Sequence, residues 1–498
     1  MPGTAGIVAS GHPMTSRAGR DVLAAGGNAF DAALGALCAA TVAEPLLASL
    51  GGGGFLLAKP AGSEPVVFDF FVNTPRRRRP AAEIDFHPIL ANFGTASQEF
   101  HIGLGAMAVP GVIAGLFAVN DALGRLPMSE VVAPAAMLAR EGVVVNSGQR
   151  KISQILTPML NKTPEAMALV ANAAMPGAPA PVGAVCRNAA LADTLEALAH
   201  EGPQLYYQGE FARRLAEDCA VRGGQLTLAD LAAYEVRERA PVSVMSQGAR
   251  VWLNAPPSPG GSLVAHALEN LDCRDFSLAR WGHTAHAMAI AHAQDGANQL
   301  RRQDPALFSR GTTHLSVADA EGNLAALTVS NGEGCGYVLP GTGILVNNML
   351  GEEDLNPDGF HRWPEGQRLA SMMCPTVARL ADGTEIALGS GGANRIRGAV
   401  LQVLTNVAGF GLPLSQSVAA PRMHLEGPRL SLEHCLTGDL SWSEDAVHAL
   451  REQWPDLEAW PEPNLFFGGV HAVTRSASGR FEAAGDPRRD GAVAVNEG

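Results

Sequence analysis

The sequence predicts an α/β fold, and three features carry that reading. Apolar residues alternate at Leu315 and Val317 and again at Ala325, Leu327 and Val329, which is the period of core strands, and residues 319–323 supply the turn between them. An alanine-rich run over residues 29–41, ended by Pro45, reads as a helix that can pack closely against a sheet. The 56 glycines and many alanines fit a tightly packed chain with numerous turns, and no fixed period suggests a repeat protein.

The remaining elements follow in order. Thr15 is placed to cap a helix running to Ala25, with Gly26 and Gly27 as its left-handed stop. Residues 51–54 are all glycine but lack the Gly-Lys-Ser/Thr ending that grips phosphate and magnesium, so a tight structural turn is expected. Residues 55–58 and 66–71 read as paired strands. Val112, Leu116 and Val119 fall at helical spacing within residues 111–123, and residues 176–185, rich in Ala, Pro and Gly, read as an irregular connection. Thr227 caps a short helix with Asp230 in its first turn. His283, His286 and His292 share a helical stretch, but six residues turn a helix by about 600°, so His292 faces away from the other two and surface histidines are expected rather than a zinc site.

Composition narrows the function. The 498 residues, 47% hydrophobic, suffice for two ordinary domains or one large layered one, and no interdomain linker stands out. A net charge of -13 argues against nucleic acid or an anionic membrane as partner. No apolar run is long enough to span a bilayer. The seven cysteines show neither a CxxC nor a zinc-like spacing, and reduced, buried thiols are expected. The N-terminus carries no basic start followed by an apolar run, from which a cytoplasmic location is expected.

Chemistry concentrates at Gly311-Thr312-Thr313-His314. Glycine leaves its carbonyl unshielded, so the Thr312 hydroxyl can attack it, shift the acyl group from nitrogen to oxygen, and let water release a free α-amine. An α-amine has an ordinary pKa of about 8, against about 10.4 for lysine, and can take the hydroxyl proton near neutrality. Thr312 would then be nucleophile and base in one residue. Thr328 and Ser330 share one face of the following strand, with hydroxyls suited to the new amine or to the Thr312 oxygen. Amide attack also creates an oxyanion that needs fixed donors; Gly391 and Gly392, or Gly392 and Ala393, can present main-chain N–H groups unobstructed.

The chain further carries Gly27-Asn28-Ala29-Phe30-Asp31-Ala32-Ala33, Glu44-Pro45, Gly51-Gly52-Gly53-Gly54-Phe55, Ala108-Val109-Pro110-Gly111 and Pro256-Pro257-Ser258-Pro259-Gly260-Gly261. After Thr312 come Asp319-Ala320-Glu321-Gly322-Asn323, Gly341-Thr342-Gly343, Asn347-Asn348, Cys374-Pro375-Thr376 and Gly389-Ser390-Gly391-Gly392. In this order the set resembles the γ-glutamyltransferase (glutathione hydrolase) family of N-terminal-nucleophile hydrolases, over nearly the whole chain. The resemblance implies a four-layer αββα sandwich and a precursor cut before Thr312. The cut would give a large subunit, residues 1–311, and a small subunit, residues 312–498, which stay together as one intertwined domain. It implies a small-molecule amide or peptide substrate, an acyl-threonine intermediate, and neither metal nor organic cofactor; a homo-oligomer is compatible with the sequence.

The binding residues match this family less well. Asn331 resembles its substrate-holding asparagine, and Glu352, Glu353 and Asp354 are candidates for the acidic residue on the substrate α-amino group. Ser371 remains of a serine pair whose second member is Met372, and Phe71 stands where the family has the arginine that holds the α-carboxylate. Two outcomes are expected: an arginine among residues 76–79, Arg76 first, takes over as clamp, or the substrate lacks the carboxylate and packs an apolar group on Phe71. The alternatives to γ-glutamyl cleavage are an acylase for a non-glutamyl acyl amide and a noncatalytic binding protein on the same scaffold. Edman sequencing of the purified protein is expected to show a chain beginning Thr312-Thr313-His314, and Thr312→Ala is expected to stay full length; a fully active single chain would sink the mechanism.

Overall fold

The computed structural model describes residues 3–92, 97–272, 279–303, 312–356, 359–434 and 440–498. Two antiparallel sheets lie face to face between layers of helices. The first has the order Ala492–Asn496, Gly6–Ser10, Thr313–Asp319, Leu324–Ser330, Gly53–Lys59, Val66–Phe70, Arg237–Arg239. The second runs Phe481–Ala484, Gly469–Arg475, Glu385–Gly391, Thr376–Arg379, Ala249–Leu253, Val242–Ser246. The α/β reading and its four-layer form both hold.

Helices Pro13–Ala24 and Ala29–Ala43 cover the first sheet, and Pro259–Asp272 and Arg395–Ala408 cover the second. Ala29–Ala43 is buried almost all round, which is why its sequence is alanine-rich without an amphipathic stripe. It opens with a capping box in which the Asn28 side chain accepts from the Asp31 amide and Asp31 accepts from the Asn28 amide. Asp319 joins this helix to the strand pair: its Oδ2 accepts from the Ala29 amide at 2.9 Å, and its Oδ1 accepts from Glu321 and Asn323 in the expected turn.

Three local expectations are corrected. The first helix is capped by His12, whose Nδ1 accepts from the Met14 amide, because Pro13 at the first helical position moves the start ahead of Thr15. The glycines at 51–54 are not a turn alone: Gly53 and Gly54 already belong to a strand, and side chains on Gly51 or Gly52 would run into the Leu345 and Ser330 carbonyls. His286 is buried, its Nδ1 accepting from the Gly282 amide at 3.0 Å and its ring packed on Trp281 and Trp442, while His283 is exposed. Cys38, Cys219, Cys335 and Cys374 are buried free thiols and Cys186 is half-buried; Cys273 and Cys435 lie outside the described residues. Among the described residues no helix is long and apolar enough to cross a membrane.

The two sheets meet most closely where Thr313–Asp319 passes over Glu385–Gly391. A side chain on Gly389 would come within 2.5 Å of the His314 ring nitrogen Nδ1. Lys59 of the first sheet and Glu385 of the second form a buried ion pair at 2.9 Å. Gly389→Ala is expected to overpack the interface and lower unfolding free energy by about 1–3 kcal/mol. Denaturant titration checks this, and His314→Ala added to Gly389→Ala should recover part of the loss.

Candidate active site

Thr312 stands immediately before the strand Thr313–Asp319, on the wall of a cavity of about 650 Å3. Gly311, the other side of the expected cleavage point, lies outside the described residues. Thr312 is 1% exposed, and its hydroxyl has no hydrogen-bond partner among the described residues. A buried hydroxyl without a partner is costly in a purely structural role, so its presence on a cavity wall marks a functional candidate.

Gly391 and Gly392 line the same cavity. Gly391 lies so close to Thr312 that any side chain there would clash with the Thr312 carbonyl oxygen. The chain then bends sharply: Gly392 has φ +115° and Ala393 φ +58° before the helix Arg395–Ala408 begins. Left-handed backbone at a non-glycine residue is strain that the surrounding fold must maintain. Here it brings a helix N-terminus, with its partial positive charge, to the cavity that holds Thr312.

Thr328 is partnered across the strand ladder. In the strand register His314 sits opposite Thr328, and its Nδ1 meets the Thr328 hydroxyl at 2.8 Å. Its Nε2 meets Ser316 Oγ at 2.9 Å, and Ser316 donates to the His471 carbonyl of the other sheet. Burial holds the His314 pKa well below the usual value, with His471 adding to the effect, so the ring is neutral and each nitrogen needs its hydroxyl. Ser330 Oγ accepts from the Gly332 amide at 3.0 Å.

The expected binding residues divide. Asn331 is fully buried, with neither side-chain polar atom partnered among the described residues, beside Gly332 and Glu333 on the cavity wall. Glu352 is buried against Gly332, and Glu353 lines the cavity; the Asp354 side chain lies outside the described residues. Ser371 and Met372 are fully buried, off the cavity, with Ser371 Oγ accepting from the Met373 amide.

Phe71 is also core: it is 0% exposed and stacks on Phe55 at 5.5 Å, so no substrate group packs on it. Arg76 to Arg79 do not reach the cavity. The Arg76 amide donates to Asp230, Arg78 pairs with Glu365, and Arg79 donates to the Cys219 and Gly224 carbonyls. Both the substitute clamp and the apolar contact at Phe71 are therefore corrected. Position 71 is closed on its carbonyl side as well, by Tyr234 and Arg368, which both donate to the Phe71 oxygen.

Sequence reasoning missed several cavity residues. Arg395 donates through Nε to the Phe466 carbonyl and lies over the Phe466 ring, 4.6 Å from its centroid. Arg489, half-buried, sits beside Gly392, and Glu333 also lines the cavity. Glu44 joins Thr312 from the far end of helix Ala29–Ala43; its motif with Pro45 was visible but carried no chemistry by itself. Leu46, Ile152, Leu156, Leu465, Phe466 and Trp460 make much of the remaining wall apolar.

Comparison with known proteins agrees with this geometry. The family model described as Gamma-glutamyltranspeptidase matches residues 15–307 and 291–496. The chain is 30% identical over 546 residues to an acylase ACY 1 proenzyme of Pseudomonas sp. (strain V22), covering 100% of this chain and 94% of that one. It is 30% identical over 544 residues to the glutathione hydrolase proenzyme of Escherichia coli (strain K12), covering 97% and 90%. The solved cephalosporin acylase of Bacillus halodurans superposes with a TM-score of 0.81 at 26% identity, over 100% of this chain and 97% of the other. With the N-terminal-nucleophile sandwich, the Thr312 cavity and a match along nearly the whole length all in agreement, the chain belongs to the γ-glutamyltranspeptidase family of hydrolases and acyltransferases.

Proposed function

We propose that this protein is a self-processing acyl-amide hydrolase whose acyl group is predominantly apolar rather than γ-glutamyl. The observation that carries the reading is the Thr312 hydroxyl, without a hydrogen-bond partner among the described residues, on a cavity of about 650 Å3 walled by Leu46, Ile152, Leu156 and Phe466. A γ-glutamyl group ends in an ammonium and a carboxylate, each of which loses several kcal/mol if buried without a counter-charge. An aliphatic or aromatic acyl chain gains about 25 cal/mol per Å2 on the same wall.

In this reading Thr312 Oγ1 gives its proton to its own α-amine and attacks the amide carbonyl. The oxyanion is met by main-chain amides of the Gly391 to Ala393 bend, the departing amine takes the proton, and water then releases the acid. His314 and Thr328 hold the strand start in place and do not handle the proton. Homologues named as proenzymes support processing before Thr312.

A second reading, γ-glutamyl cleavage, is favoured by Arg395 and Arg489 with Glu333 and Glu353 on the cavity wall, which could meet the two charges of a glutamyl group. Turnover of phenylacetyl- and octanoyl-p-nitroanilide against γ-glutamyl-p-nitroanilide separates the two. We expect kcat/KM to favour the apolar amides by about tenfold or more. A faster γ-glutamyl substrate whose advantage disappears in Arg395→Ala would establish the second reading, and no turnover of any amide would leave a binding protein. Gly392→Ala is expected to lower kcat by about 10²–10³ with little change in KM, because the left-handed bend that aims the amides is lost.

A further inference from the structure

Glu44 ends the helix Ala29–Ala43, where the helix dipole disfavours negative charge, yet its carboxyl is buried on the wall of the Thr312 cavity. Oε1 accepts from the Thr313 hydroxyl at 3.0 Å and Oε2 accepts from Thr15 at 3.3 Å. Gly11 clears the space between: a side chain there would lie 2.7 Å from Glu44 Oε1 and 3.1 Å from Thr313 Oγ1. The carboxyl thus holds the side chain of the residue directly after the nucleophile. With the Thr313 side chain and one residue of strand between them, the Thr312 nitrogen stands within roughly 10 Å of it.

We propose that Glu44 is a positioning residue that fixes the start of the mature small subunit through Thr313 and acts as counter-charge to the Thr312 α-amine. The inference rests on Thr312 being the processed nucleophile. A carboxylate at this distance favours the ammonium form, so it sets the pH at which the amine becomes a free base. The other groups around Glu44 leave it that role. His12 and His471 are both held near pKa 4 by burial and are neutral; Arg489 attracts its charge and Asp490 opposes it. Thr15 and Thr313 supply the hydroxyl donors. Desolvation, only partly offset by those hydroxyls and Arg489, moves the Glu44 carboxyl up to about 7, so its titration and that of the amine overlap as a coupled pair.

The test is the pH profile of kcat/KM for the parent and Glu44→Gln, which keeps an oxygen acceptor for Thr313 and loses the charge. In the parent, activity falls on the acid side as the amine protonates. In Glu44→Gln that limb is expected to move to lower pH by roughly 1 unit, with the small subunit still beginning at Thr312. A limb that stays in place while kcat/KM drops evenly at all pH values overturns the proposal and leaves Thr312 as nucleophile. A fully active parent whose chain is not cut before Thr312 overturns both. Should Glu44→Gln fail to accumulate, Thr313→Val carries the test: kcat is expected to fall about tenfold, as for loss of a hydrogen bond to a charged group, and Thr313→Ser to restore it. An unchanged kcat in Thr313→Val overturns the proposal.

Discussion

The structure depends on how closely two strands from opposite sheets approach, Thr313–Asp319 and Glu385–Gly391. Only residues without a side chain allow it: His314 occupies the space a Cβ would need at Gly389, and the Thr312 carbonyl occupies it at Gly391. The contact buries a histidine between the sheets, and leaving its nitrogens unpaired there would cost several kcal/mol. Thr328, Ser316 and the His471 carbonyl meet that requirement in one chain of hydrogen bonds from sheet to sheet. The same approach sets Thr312 against the backbone of Gly391, so candidate nucleophile and candidate oxyanion donors are fixed by packing of the two sheets.

Much of this was legible in the sequence, because alternation and turn residues report directly on which face of a strand is buried. The strand pair at 313–330, the Asp319 turn, the alanine-rich helix and Gly391-Gly392 are all local patterns, and the fold builds on them as written. Partnership was not legible. Periodicity put Thr328 on the correct face but could not say that His314, directly across the ladder, would take its hydroxyl. Phe71 occupied a family position, and nothing short of the tertiary structure reveals that this position is sealed by Tyr234 and Arg368. Arg489 and Glu333 reach the cavity from segments whose own sequence is unremarkable, since the sheets bring them there.

Charge near the cavity is organised from the C-terminal segment. Arg422 pairs with Asp486 at 2.6 Å, and Arg488 pairs with both Glu433 and Asp486, all of them buried. Isolated, such charges would not remain ionised in the interior; linked, each satisfies another, and Asp486 also accepts from the Val470 amide in the second sheet. The pairing holds the Asp486 carboxyl down at about 2 against its burial, so this network stays charged across neutral pH. Arg489, the next residue, is thereby held beside Gly392 and within electrostatic reach of Glu44. One network thus positions the cavity's cationic side and moderates its buried acid.

The strand order explains how a chain cut before Thr312 would remain one molecule. Thr313–Asp319 and Leu324–Ser330, which follow the cut, lie between Gly6–Ser10 and Gly53–Lys59, which precede it. On the outer side of Gly6–Ser10 lies Ala492–Asn496, again from beyond the cut, and in the second sheet Ala249–Leu253 pairs with Thr376–Arg379. Each sheet is woven from both pieces, so separating them would break complete ladders and open both cores. Unfolding, not dissociation, is then the route by which the pieces part, and a new N-terminus at Thr312 remains held by neighbours on either side.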